Sequence, residues 1–307
     1  MTVYHYTSID ALEKILFTYS SDTKSFRLRA THSNFLNDGT ESILGARLLP
    51  KYICEIEKEL HIPKQWQLGP AFSDEQYLQN LIKHIKTFND AKEGISKFVA
   101  SFSKAYDNLV MWSMYGSKGN GVALGFDSEC LTDSLKNRVS ILPYQVEECI
   151  YLKDDELSEP KDKESSIYKY SKDLYIGMSN PEVANSLYKL FTNENQDEES
   201  RWNAVMNTIM INLITHVSMF CKLEMWKNEQ EYRLVLDDIT SNIRYRKNSN
   251  NVYVPYIDFL VPQRSLKEIV IGPTCGQNAH GMINSLLYQI GLSPKEISIV
   301  HSNCPLQ

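Results

Sequence analysis

Along this chain the apolar positions switch between a two-residue repeat and a repeat of three to four, and the switches mark the elements. Residues 3–6 alternate as a short strand. Ser8 is placed to cap a helix in which Ile9, Leu12, Ile15 and Leu16 recur at helical spacing, with Asp10 in its first turn. Residues 26–31 predict a second strand, 34–39 a turn, and 41–59 a helix. Residues 66–73 read as loop, and Asp74 caps a helical run through Tyr77, Leu78, Leu81, Ile82, Ile85 and Phe88. Within 97–103, Phe98, Ala100 and Phe102 alternate against Val99, Ser101 and Ser103. A short helix over 109–115 puts Trp112 and Tyr115 on one face. The loose stretch 116–121 leads into a strand at 122–126, and another covers 139–146.

The charged run 153–164 predicts a surface loop, and 166–200 is helical with an acidic break at 193–200. The long helix that follows is rich in Met, Ile, Leu and Val. Asn207, Thr208, Asn212, Thr215, His216 and Ser218 make it too polar for a bilayer centre, so it reads as a buried or half-buried helix of a soluble protein. Residues 252–261 and 268–271 are extended, Gly272-Pro273 ends the latter, 278–290 is helical, and 296–300 is a last strand. Strands come in pairs rather than in a βαβ rhythm, which predicts an α+β fold.

The stretch from Trp226 to Leu236 stands apart. Residues 232–236 form a strand pattern, and alternation puts Glu229, Glu231 and Arg233 on one face, with Tyr232, Leu234 and Leu236 toward the core. Two carboxylates and a guanidinium entering a strand are costly to bury unless paired or used. The stretch is therefore either a solvated edge, its carboxylates paired with Arg233, Lys222 or Lys227, or a site.

At 307 residues with 42% hydrophobic and 23% charged positions, the chain can bury a substantial core without staples. A net charge of −6 argues against wrapping nucleic acid by bulk electrostatics but leaves room for a local basic groove. The six cysteines show no CxxC spacing, and no His/Cys/carboxylate cluster has ligand spacing, so neither a metal nor a disulfide framework is expected. The N-terminus has no secretory pattern, which suggests a reducing, cytoplasmic setting without membrane attachment. Gly119-Asn120-Gly121 is neither a Rossmann nor a P-loop fingerprint.

A series of short motifs recurs in a familiar order. It comprises Tyr4-His5-Tyr6-Thr7, Asn34-Phe35-Leu36-Asn37-Asp38 with Glu41, Ser101-Phe102-Ser103, Met111-Trp112 with Tyr115, residues 121–127, Trp226 with Glu229 and Glu231-Tyr232-Arg233, and Ile269-Val270-Ile271-Gly272-Pro273. The series resembles the bacterial domain-of-unknown-function family 2971 over nearly the whole chain. The opening, Tyr-His-Tyr-Thr followed by a short helix and a leucine-rich return, is similar to the start of several ADP-ribosyltransferases, including DNA-targeting toxins and RNA 2′-phosphotransferases. That second resemblance implies an ADP-ribosyltransferase-like split β-sheet core in one domain over 1–307, with a helical insertion at 155–220. It also implies that NAD is consumed as a substrate.

In that superfamily a first-strand His or Arg holds the nicotinamide ribose, a mid-chain Tyr or Ser/Thr flanks the nicotinamide, and a late-strand Glu stabilises the oxocarbenium-like transition state or orients the acceptor. The resemblance implies His5, Tyr115 and Glu231 as catalytic residues. It implies Tyr6, Thr7, Ser101, Ser103, Trp112 and Arg233 as cofactor contacts, and Asn37, Asp38 and Glu229 as acceptor-side or supporting groups. Each has a plainer reading. His5 is a core histidine satisfied by a carbonyl, Trp112 and Tyr115 are core, Asn37-Asp38 is a tight turn, and Ser101 and Ser103 line an exposed sheet face.

The expected function is an NAD-dependent ADP-ribosyltransferase or NAD glycohydrolase, a toxin or phage-defence effector acting on nucleic acid or protein, with a partner that restrains it. The alternatives are a catalytically degenerate nucleotide- or nucleic-acid-binding module, and a nuclease or phosphotransferase using His5 and Arg233.

Overall fold

The structure, a computed structural model, describes residues 1–36, 44–86, 96–133, 145–153, 163, 165–178, 181–190, 197–238, 243–248, 250–293 and 296–305. The chain opens with β1 (Thr2–Ser8), α1 (Ile9–Leu16), β2 (Ser25–His32), α2 (Leu44–Glu59), α3 (Gly69–Phe72), α4 (Glu75–Lys86) and β3 (Ser96–Ser103). It continues through α5 (Leu109–Met114), β4 (Gly121–Asp127), α6 (Ser128–Asp133), β5 (Gln145–Glu148), β6 (Ile150–Leu152), α7 (Ser166–Met178), α8 (Pro181–Leu190) and α9 (Glu198–Phe220). It closes with β7 (Cys221–Leu223), β8 (Glu231–Asp238), β9 (Arg244–Lys247), β10 (Tyr253–Pro262), β11 (Leu266–Ile271), α10 (Ala279–Gln289) and β12 (Ser298–His301). The architecture is mixed α and β, divided into two compact units: Met1–Phe35, Ile95–Cys149 and Trp226–Gln307 form the first, Leu36–Gly94 and Ile150–Met225 the second.

In the first unit, β3 is the strand on which the sheet turns. One of its edges pairs with β8 along its whole length, from Ser96↔Asp238 to Ser103↔Glu231. The other edge is shared. β1 meets it at Ser103, opposite Tyr4, and β2 meets it at Phe98 and Val99. Between these two contacts β1 and β2 part, and residues 100–102 border the gap. From β1 the sheet continues through β4 and β11 to a parallel β12; from β2 it continues through β10 to β9, and β5 joins β8.

Alternation divides the chemistry of the two faces. One face carries Val3, Leu28, Phe98, Phe102, Leu124, Leu234, Ile257 and Ile269, packed with Leu12 and Leu16 of α1, Leu131 of α6, and Ile283 and Leu287 of α10. Ser8 caps α1 as its sequence position predicts, its hydroxyl accepting from the Ala11 amide at 3.1 Å. On the opposite face α5 lays Met111 and Trp112 over Tyr4, Tyr6, Ala123 and Val270. That same face carries Ser101, Ser103, Glu231 and Arg233.

Where β1, β4 and β11 end together, the backbones approach closely. A Cβ on Gly272 would lie 2.2 Å from the Gly119 carbonyl oxygen, and one on Gly121 2.3 Å from that of Thr7. Gly272→Ala is therefore expected to cost about 1–3 kcal/mol, read from a urea midpoint, because the obstructing atom is main chain and cannot rotate aside.

His32, at the end of β2, is buried edge-on against Phe98 and accepts the Asn34 amide at Nδ1, 3.2 Å. Burial pushes its pKa down from 6.5 to about 4. Between those values the unfolded chain takes up a proton that the native state refuses. The stabilisation is thus complete above pH 6.5 and is lost as the pH falls toward 4, by up to about 3 kcal/mol. Denaturant unfolding of wild type and His32→Gln across this range is expected to show a shallower slope in the variant, the remainder coming from groups such as His5, whose pKa burial also lowers.

The second unit packs α2, α3, α4, α7, α8 and α9 with a short parallel pair, β6 and β7. Within residues 66–73, which read as loop, Gly69–Phe72 form the single-turn helix α3. The buried Glu57 carboxylate accepts the amides of Leu68 and Gly69 and the Tyr175 hydroxyl (3.0 Å), so it caps α3 from the last turn of α2, and Pro70 sits in the first turn of α3. The helix predicted after residue 201 is present as α9, with Asp197 as its N-cap. Among the described residues no helix is long and apolar enough to cross a membrane.

Candidate functional site

Gln230, at φ +44°, stands between two buried carboxylates. A 3-10 turn ends at Glu229, Gln230 adopts the left-handed conformation that a side chain disfavours, and β8 begins at Glu231. Glu229 is therefore not the strand residue that alternation predicts; the turn takes it out of register. Its main-chain oxygen accepts the Ser103 hydroxyl at 2.6 Å, and its carboxylate accepts the Tyr115 hydroxyl at 2.8 Å. Asn108 ties the same turn to the start of α5 through the Asn228 carbonyl (3.0 Å).

Glu231 and Arg233 do share a face, with Tyr232, Leu234 and Leu236 turned into the core, as the alternation predicts. The guanidinium grips the carboxylate in a two-pronged bond, Nε to Oε1 at 2.7 Å and Nη2 to Oε2 at 2.9 Å. Both side chains are nearly sealed, at 2% and 6% exposure. A pair this deep repays its desolvation only through such geometry.

His5 occupies the gap where β1 leaves β3. Its Nδ1 lies 3.2 Å from the Ser101 carbonyl, and its ring meets Phe102 edge-on. Burial lowers its pKa below the ordinary histidine value, so the ring is neutral at neutral pH. A neutral ring bonded to a carbonyl carries its proton on Nδ1, which leaves Nε2 as an acceptor. Among the described residues Nε2 has no protein partner. Alternation sets His5 on the face opposite Glu231: the Ser101 carbonyl meets His5, Ser101 pairs across the strands with Arg233, and Glu231 pairs with Ser103. Ser101 itself is exposed.

Other sequence candidates form the frame. Trp112 is completely buried, donates from Nε1 to Asp107 at 2.6 Å and meets Tyr6 edge-on at 4.8 Å, so it offers no face to a ligand. Tyr6 turns its hydroxyl to the carbonyls of Ala105 and Tyr106, and burial raises its pKa. Ser103, fully buried, accepts the Ala105 amide while holding the Glu229 carbonyl. Packing and hydrogen bonds occupy much of the surface of these three side chains. Thr7 is half-buried at the end of β1, in register with Val122. Asn37 and Asp38 lie outside the described residues.

Asp107 was not singled out from the sequence. It accepts Trp112 Nε1, the Ser302 hydroxyl (2.6 Å) and the Asn303 amide (2.8 Å), and so fastens the C-terminal segment to α5. Its place just before the Asn108 cap is the only local signal. Among the described residues no group of three or more His, Cys, Asp or Glu is placed to hold a metal ion.

The model of a family described as a protein of unknown function (DUF2971) matches residues 111–234, a span that includes Trp112, Tyr115, Glu229, Glu231 and Arg233. The match supports the resemblance to that family. No curated protein and no solved structure matches the chain.

Proposed function

We propose that the protein consumes NAD, as an ADP-ribosyltransferase or NAD glycohydrolase on an ADP-ribosyltransferase-like split sheet. One observation carries the reading: a neutral first-strand histidine with an open Nε2 lies against Ser101 of β3, whose cross-strand neighbour Arg233 holds the late-strand carboxylate Glu231 rigid. Cleaving the glycosidic bond sends its electron pair to nicotinamide and leaves positive charge on the ribose. Glu231 stabilises that charge, and being fixed in place it needs no reorganisation. His5 Nε2 accepts a ribose hydroxyl, Tyr115 flanks the nicotinamide, and Glu229 takes the proton from the attacking acceptor or water.

An activity of this kind suits a toxin or defence effector kept in check by a partner. The test is release of nicotinamide from NAD by the full chain, with cell lysate as acceptor source. No release with any acceptor removes the reading. A catalytically degenerate NAD or nucleotide binder is the second reading, and the alternation that puts His5 and Glu231 on opposite faces favours it. It expects a rise in melting temperature with NAD and no turnover.

A further inference from the structure

Four of the nine arginines in the chain, Arg27 and Arg29 on β2 and Arg244 and Arg246 on β9, lie on one face of the sheet, and all four are exposed. Their placement follows from register. Arg29 pairs with Asp258 and Arg27 with Leu260 across β2 and β10; Tyr256 pairs with Arg244 and Val254 with Arg246 across β10 and β9. This is the face that carries Glu231.

We propose that this face docks single-stranded nucleic acid. The proposal goes beyond the NAD reading, since it holds whether or not NAD turns over; where that reading also holds, it names the acceptor class.

Asp258 is the carboxylate in the array, 2.9 Å from Arg244 and 3.9 Å from Arg29. Arg246 reaches only the Thr31 hydroxyl, at 3.4 Å, and neither Arg246 nor Arg27 has a carboxylate within ion-pair distance among the described residues. Partial burial and, second to it, the nearby Arg29 charge lower the Arg246 pKa.

Edge protection explains cations on β9, an outer strand, but not Arg27 and Arg29, because β2 lies inside the sheet between β3 and β10. The spacing is set by the sheet: about 6.7 Å between alternate residues of one strand and about 9.5 Å across two strand spacings. Guanidinium forks at fixed positions suit phosphates, and their planes stack on bases. Arg29 is already braced over the Tyr256 ring, 4.6 Å from its centroid, and the exposed Leu260 beside Arg27 adds an apolar contact. The acidic remainder of the chain repels a polyanion, which favours docking on this face alone.

The test uses the full chain without NAD and fluorescence anisotropy of labelled single-stranded DNA and RNA of about 20 nucleotides. About three phosphate contacts predict a salt slope near −2, or roughly a 20-fold loss of affinity between about 50 and 200 mM salt. Arg29→Gln/Arg246→Gln is expected to weaken binding at least about tenfold and to flatten that slope, with the melting temperature unchanged. Arg27→Gln/Arg244→Gln should do the same independently, and the exposed Arg264→Gln should do neither. Absence of binding, or binding unchanged in both double variants, overturns the proposal. Displacement by polyglutamate as effective as by unlabelled oligonucleotide also overturns it, and assigns the face to an acidic protein. Binding with this dependence but no nicotinamide release leaves the docking face standing while the NAD reading falls.

Discussion

Glu231→Gln is expected to slow nicotinamide release from NAD at least about a hundredfold, the scale for losing one preorganised electrostatic stabiliser in a desolvated site. The substitution keeps the shape and removes the negative charge opposite the developing ribose cation. The amide oxygen still accepts from one prong of the Arg233 fork, but the amide nitrogen faces the other N–H and the buried guanidinium loses its counter-charge, so a loss of stability is expected beside the loss of rate. The comparison is made at saturating NAD, so that a change in binding does not pass for a change in chemistry. A melting curve on the same samples separates an inactive fold from an unfolded chain. Release that falls less than about tenfold with the fold intact would move the stabilising charge away from Glu231.

How much of this arrangement the sequence discloses depends on whether a local rule governs it. The face shared by Glu231 and Arg233, the inward turn of Tyr232, Leu234 and Leu236, and the Ser8 cap follow from strand period and side-chain reach, and they appear as read. Glu229 departs from its expected position because Gln230 takes a positive φ, and a glutamine gives no warning of that. Tyr6 and Trp112 turn inward because aromatic residues at such spacing fill a core as readily as they grip a ligand, and only the Asp107 acceptor and the carbonyls at 105 and 106 decide between the two. α3 is fixed by Glu57, which is distant in sequence, and no window over 66–73 contains it. β9 reads Arg-Tyr-Arg-Lys, without apolar alternation, because its pairing with β10 holds it in the sheet rather than burial. The helical unit joins 36–94 to 150–225, an association that a linear reading, which placed the insertion at 155–220, does not display.

Arg233→Met is expected to destabilise the fold by about 3–5 kcal/mol, the cost of stripping a buried carboxylate of its two-pronged partner. The pair is worth far less than that figure suggests, because most of the loss is the penalty for the charge left behind. Glu231→Leu/Arg233→Met removes both charges and should return the unfolding free energy to within about 1 kcal/mol of wild type, since apolar side chains on a tightly packed face avoid the desolvation that an ion pair must recover. Urea unfolding of the two single variants and the double variant closes the cycle and gives the coupling energy directly. Nicotinamide release distinguishes the meanings of that result. A stable but inactive double variant says that the charges are kept for chemistry at a cost in stability. A double variant that is both stable and active would make Glu231 and Arg233 a packing solution and return them to the plain reading of a paired strand. Arg233→Met without loss of stability would mean that the site admits water, and a carboxylate in that setting would be too well screened to stabilise a ribose cation strongly.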